Sequence, residues 1–152
     1  MIKIIKGDVD ELGVPCGYVN EKGDTIIPIG KYLYCYTDTI KTFGIVGHKG
    51  ETFALLGINQ KDSVLFEVYW FDNGPDYPRD GLFRIIWNDK IGYADSLGQI
   101  VIEPQFKCAN PFENRRARVA LDCKVKVRDV DGHGAMVSDS WFYIDTNGNR
   151  IN

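Results

Sequence analysis

The 152-residue chain has two histidines, His48 and His133, and no Cys-x-x-Cys pair. Neither histidine stands in an H-x-H or H-E-x-x-H spacing, the patterns that bring two imidazoles to one metal. No Gly-x-Ser-x-Gly elbow, phosphate-binding loop or dinucleotide fingerprint occurs. Asp72, Asn73 and Asp76 crowd together as in a calcium loop, but the spaced distal glutamate is missing. Glu67, Asp72, Asp76 and Asp80 stand beside aromatics, yet a glycosidase needs two carboxyls at a defined distance, which this spacing does not supply. These absences lead to the expectation of no enzyme, no cofactor and no metal. Positive charge is also short: 18 Lys and Arg against 21 Asp and Glu give a net charge of −3, which argues against a nucleic-acid partner. No apolar run approaches the roughly 18–20 residues of a membrane-spanning helix. Met1-Ile-Lys-Ile-Ile-Lys-Gly7 lacks the apolar core of an export signal. The expected location is cytoplasmic, unless such a signal has been removed ahead of Met1. Cys16, Cys35, Cys108 and Cys123 do not form a dense disulfide framework for a chain this long, and read as reduced, partly buried hydrophobes.

What is plentiful is glycine, at 16 residues, in a chain of ordinary hydrophobic (44%) and charged (26%) content. That composition suits one globular domain over residues 1–152 with many tight turns. The organising stretch is Gly81 to Phe106, GLFRIIWNDKIGYADSLGQIVIEPQF. Leu82 to Trp87 is β-branched and aromatic, which suits a pleated surface. Asn88-Asp89 is a short hairpin turn, because both residues tolerate positive φ. In Ile91-Gly-Tyr-Ala-Asp95 the residues alternate, so Gly92 and Ala94 present a small face that should lie close to neighbouring backbone or a ring. Asp95-Ser-Leu-Gly98 is a second turn, with Asp bonding backbone ahead of it and Gly in the left-handed region.

That second turn recurs. Asn20-Glu-Lys-Gly23, Asn59-Gln-Lys-Asp62 and Asp145-Thr-Asn-Gly148 follow the same pattern, and the anchors Asn20, Asn59, Asp95 and Asp145 are 39, 36 and 50 residues apart. The repeat segments lie near 17–28, 56–67, 92–104 and 142–151. Periods of this size indicate an array of supersecondary units. The expected fold is all-β: an antiparallel hairpin or meander repeat array forming a curved or partly closed sheet. A long hairpin over 116–144, with Ala117, Val119 and Leu121 on one face and His133 at its tip, accounts for the widest spacing. His48 falls in an expected turn, Gly47-His-Lys-Gly50.

The run from Trp87 to Phe106, with Asn110-Pro-Phe112 after it, resembles the WG (KWG) β-repeat family of mostly bacterial proteins. The family pattern is roughly aromatic-Gly-Tyr-Ile-Asp, a glycine three residues on, Ile-Val-Ile-x-Pro, and a later Pro-Phe. Ser140-Trp-Phe-Tyr-Ile-Asp145 keeps the tryptophan but has Phe142 for the glycine. Ile91, Cys16 and Leu55 stand at the tryptophan position of the other copies. The resemblance implies a β-hairpin array and no shared catalytic activity. The function expected is a non-catalytic protein-interaction or structural module, with another protein as partner. The alternative is a glycan- or cell-wall-binding module. If the chain binds anything, the candidate residues are Trp70, Phe71, Asp76, Tyr77 and Arg84: the Gly/Pro-stiffened segment from Trp70 to Asp80 with its rigid aromatics, together with Arg84. The row Tyr32, Tyr34, Tyr36 is read as one face of a strand, either core or a sugar platform.

Overall fold

The computed structural model describes residues 1–7, 14–127 and 134–151. Most of the loop expected after Asp8, and the tip containing His133, lie outside the described residues. Every regular element among the described residues is a β-strand, and every named strand pair is antiparallel. The chain falls into two compact units, Met1–Pro75 and Asp76–Asn152.

In the first unit, β1 (Ile2–Ile5), β2 (Cys16–Val19) and β3 (Thr25–Tyr32) form a three-stranded meander. β4 (Tyr34–Cys35), β5 (Phe43–Lys49), β6 (Phe53–Asn59) and β7 (Val64–Val68) pair in sequence order. β8 (Trp70–Phe71) and β9 (Gly74–Pro75) make a small hairpin. The core gathers Tyr18, Ile27, Tyr32, Ile40, Val46 and Ile58. In the second unit, β10 (Leu82–Trp87), β11 (Lys90–Asp95) and β12 (Ile100–Phe106) repeat the meander. β13 (Cys108–Ala109) and β14 (Arg116–Ala120) follow. β15 (Lys124–Val127) pairs with β16 (Gly134–Val137), and β17 (Phe142–Asp145) then returns to β14 before β18 (Arg150–Ile151). Ile85, Tyr93, Ile102, Phe112, Val119 and Ile144 are fully or almost fully buried there.

All four anchor turns have one geometry. The side-chain oxygen of the anchor accepts two backbone N–H groups, two and four residues on: Lys22 and Asp24 at Asn20, Lys61 and Ser63 at Asn59, Leu97 and Gln99 at Asp95, Asn147 and Asn149 at Asp145. The residue three beyond each anchor donates its N–H to the anchor's carbonyl. That residue has positive φ in every copy: Gly23 (87°), Asp62 (60°), Gly98 (80°) and Gly148 (85°). Asp62 bears the left-handed conformation because a short polar side chain tolerates it better than most. Asn88 and Asp89, at φ 48° and 57°, complete the fifth expected turn.

Gly17 and Gly92 explain the small face. A Cβ on either would stand 2.4 Å from a carbonyl oxygen, that of Ile27 or Ile102 respectively. At both glycines the third strand bulges toward the second, with the ladder register shifting on either side of Tyr18 and of Tyr93. The neighbouring tyrosine is turned inward. Tyr18 donates its hydroxyl to the Thr37 carbonyl and Tyr93 to the Asn110 carbonyl, at 2.6 and 2.7 Å. Burial pushes both phenols above the ordinary tyrosine range. Phe112 packs edge-on against Tyr93, with ring centroids 4.8 Å apart. The copies at 56–67 and 142–151 keep the turn with Leu56 and Phe142 where the glycine would be; the first of them retains one register shift, between Gly57 and Ile58.

Four local expectations are corrected. The cysteines are not reduced: Cys16 bridges Cys35 and Cys108 bridges Cys123. Separations of 19 and 15 residues concealed the closeness that strand reversal creates. His48 is not in a turn. It lies in β5 paired with Ala54, exposed, 6.2 Å edge-on from the Tyr32 ring. The tyrosine row does not share a face, because the chain bends at Leu33 and buries Tyr32 while leaving Tyr34 and Tyr36 exposed. Leu121, expected inward with Ala117 and Val119, lies just past the end of β14 and is exposed.

Candidate functional site

One exposed apolar feature of the first unit is a strip of four rings. It starts from a backbone detail. Tyr34 pairs with Gly47, which has no side chain to cover its face of the sheet. The Phe53 ring fills that space, so close that a Cβ on Gly47 would meet it at 2.9 Å. Phe53 then contacts Tyr34 on one side and Trp70 on the other, with centroids 6.1 and 5.3 Å away. Tyr36 lies 6.1 Å beyond Tyr34. Three elements, β4, β6 and β8, thus supply the rings from Tyr34 to Trp70, and Tyr36 extends the strip past the end of β4. Their exposures run from 37% to 46%. Successive interplanar angles are 47°, 75° and 86°, so the surface is ridged. The Trp70 indole N–H is satisfied by the Asp72 carbonyl at 2.6 Å, and Asp72 takes φ 55° to make that turn. Desolvation and the adjacent Tyr34 hydroxyl hold the Tyr36 phenol above its ordinary range.

The five residues singled out from sequence separate. Trp70 and Phe71 are exposed on β8, and Trp70 joins the strip. Tyr77, in the second unit, is half exposed, with the Arg79 guanidinium 4.9 Å over its ring. Asp76 and Arg84 are each 4% exposed and face one another. Arg84 donates Nε to Asp76 Oδ2 at 2.8 Å and Nη2 to Oδ1 at 3.0 Å, a bidentate fork. The Arg84 backbone N–H also donates to Oδ2, and Nη1 reaches the Ala109 carbonyl at 3.2 Å. This pair ties the segment before β10 to β10 and β13 and does not face solvent. Its sequence signal was an arginine at the third position of the otherwise apolar run Leu82 to Trp87. Sequence patterning gives no reason to single out Phe53, whose exposure depends on Gly47 across the hairpin.

No group of three or more metal-ligating side chains is present among the described residues, and no helix there is long and apolar enough to cross a membrane.

The architecture defines an antiparallel hairpin-repeat protein. Residues 91–122 match the family model for the WG containing repeat, which places the Gly92 bulge, the Asp95 turn and the buried Phe112 inside one such repeat. The resemblance read from the residues is therefore shown over that segment. No curated protein and no solved structure matches the chain.

Proposed function

We propose that the chain is a non-catalytic protein-interaction module that docks a partner protein on the ring strip Tyr36, Tyr34, Phe53 and Trp70. The observation that carries this reading is the unbroken contact of four exposed rings on a rigid sheet. Contiguous exposed apolar surface is uncommon on monomers and marks interaction sites. Rigid aromatics lose little entropy on docking and are enriched among the residues that dominate binding energy. A glycan is the second reading. Sugar stacking needs a flat ring face, and rings turned 75° and 86° to each other offer edges and ridges instead. Interlocking side chains of a protein suit that relief better. The two disulfides favour an oxidising compartment as the place of work, in contrast to the cytoplasmic location expected from composition.

The test places a photo-activated cross-linking residue at Phe71, beside the strip, in cells making the chain. One discrete protein adduct is expected. The double variant Tyr34→Ser, Phe53→Ser should lose it while Trp70→Ala, with the purified adduct partner, weakens binding at least tenfold at unchanged melting temperature. No adduct, together with strip-dependent signal on a glycan array, would transfer the reading to a glycan.

A further inference from the structure

The second unit carries a cleft of about 310 Å³ whose walls include Arg79, Arg116 and Arg118. Its floor follows from strand alternation. Ala117 and Val119 of β14 point inward, so Arg116 and Arg118 share the outer face, and Tyr143 of β17 sits opposite Arg118 in the ladder. Its rim is two side-by-side hairpin turns. Arg79 closes onto Leu82 across Asp80 and Gly81, and Glu113 closes onto Arg116 across Asn114 and Arg115. All four inner turn residues have positive φ. The Asp80 carboxylate accepts the Arg115 backbone N–H at 2.7 Å, which locks one turn to the other.

Each guanidinium is held by a ring. Arg116 lies 5.0 Å over Tyr143, Arg118 4.5 Å over Trp141 and Arg79 4.9 Å over Tyr77. Stacking occupies the face of a guanidinium and leaves in-plane N–H groups to meet an anion, although Arg79 donates one of its own, from Nη2, to the Tyr77 hydroxyl at 2.5 Å. Among the described residues none of the three forms a salt bridge. The nearby acids are otherwise engaged: Asp80 on Arg115, and Asp145 on its own turn. Glu113 is the one carboxylate in the wall, against three arginines. In a chain of net charge −3 this is a local excess of positive charge, three guanidiniums against one carboxylate.

We propose that this cleft binds the oxyanion of a small polar molecule, a phosphate or carboxylate group of the kind carried by sugar phosphates and sugar acids. Planar guanidinium forks match both groups. The Asn110 and Asn114 amides in the wall suit hydroxyls, and the volume sits at the lower end of small-ligand sites.

Calorimetric titration at low salt would use inorganic phosphate, glucose 6-phosphate and glucuronate, with neutral glucose as control. Saturable binding of at least one anion is expected, and none of glucose. Tightest binding of inorganic phosphate would identify a free anion as the ligand. Tightest binding of glucose 6-phosphate or glucuronate would identify the sugar-borne phosphate or carboxylate. Arg118→Gln and, separately, Arg79→Gln should each raise Kd at least tenfold, and Lys22→Gln in the first unit should not change it. Arg79 lies outside any strand, so its variant reports binding even where Arg118→Gln perturbs folding. In the unaltered protein, backbone amide resonances of 116 and 118 should shift along the same saturation curve. No saturable binding of any of the three anions, equal binding of glucose, or equal weakening by Lys22→Gln would overturn the proposal.

Discussion

Gly92 lies so close to Ile102 that a single methyl group on it would be pressed to within 2.4 Å of the Ile102 carbonyl oxygen, and Gly17 stands in the same relation to Ile27. Two units that differ at most positions keep this contact. The obstacle is backbone, which cannot rotate away as a side chain can. Gly92→Ala and Gly17→Ala should therefore each cost at least the roughly 1–3 kcal/mol of an overpacked core. Gly57→Ala meets rings of Phe66 and Phe43 instead, and should cost less because rings can shift. Urea denaturation of the three variants checks the order. Equal midpoints for all three would contradict it.

The positive-φ turns permit a sharper contrast. Gly98→Val must force a β-branched residue to φ 80° and should cost on the order of 1–2 kcal/mol or more. Gly98→Asn should cost much less, as Asp62 already fills the equivalent place at φ 60°. Melting temperatures of the pair decide it.

Asp145 supplies a pH dependence. The backbone N–H of Asn149, then its side-chain amide, hold the Asp145 carboxyl below the usual aspartate range. A folded-state value below the unfolded one means that stability is present above the unfolded value, near pH 4, and is lost as pH falls through the lower folded value. Asp145→Asn should flatten this part of the acid limb and keep the turn, since Asn20 and Asn59 do the same work uncharged. An unaltered acid limb in the variant would assign the effect to another carboxylate.

The Asp76–Arg84 fork gives an asymmetric prediction. Asp76→Ala strands a buried guanidinium and should cost about 3–5 kcal/mol. Asp76→Leu with Arg84→Met removes both charges and should recover much of that loss. Chemical denaturation of the single and double variants measures the coupling, and additive losses would show that the fork is not a unit.

The disulfides can be counted directly. The folded oxidised protein should show no free thiol. Closing a loop of 15 residues, as Cys108–Cys123 does, is worth about 3 kcal/mol in the chain-entropy account. Cys108→Ser with Cys123→Ser should lower the melting temperature accordingly. Four titratable thiols and no response to reductant would refute the pairing.

What could be read from the chain was what local chemistry decides. Asn20, Asn59, Asp95 and Asp145 announce their turns because the bonds they make end within four residues. Gly92 announces a close backbone approach because it and Ala94, two residues on, give one strand face no bulk; the bulge itself is not legible there. The disulfides, the Asp76–Arg84 fork and the Phe53 slot over Gly47 were hidden, since each joins positions brought together by reversal of the strands. The shared face expected of Tyr32, Tyr34 and Tyr36 fails for a related reason. A period of two holds only while a strand stays straight, and the bend at Leu33 ends it.

The four self-closed turns also bear on how the chain finds its fold. In each, the anchor side chain brackets the reversal before any distant strand is needed, and most ladders join strands that are neighbours in sequence. Short loops close quickly and at small entropic cost, and chains rich in local pairings fold fast for their size. Not every ladder is of that kind: β14 pairs with β17, and the two are separated by the β15–β16 excursion. That junction is the expected slow step, and amide hydrogen exchange during refolding should protect the Asp95 turn well before it protects Val119.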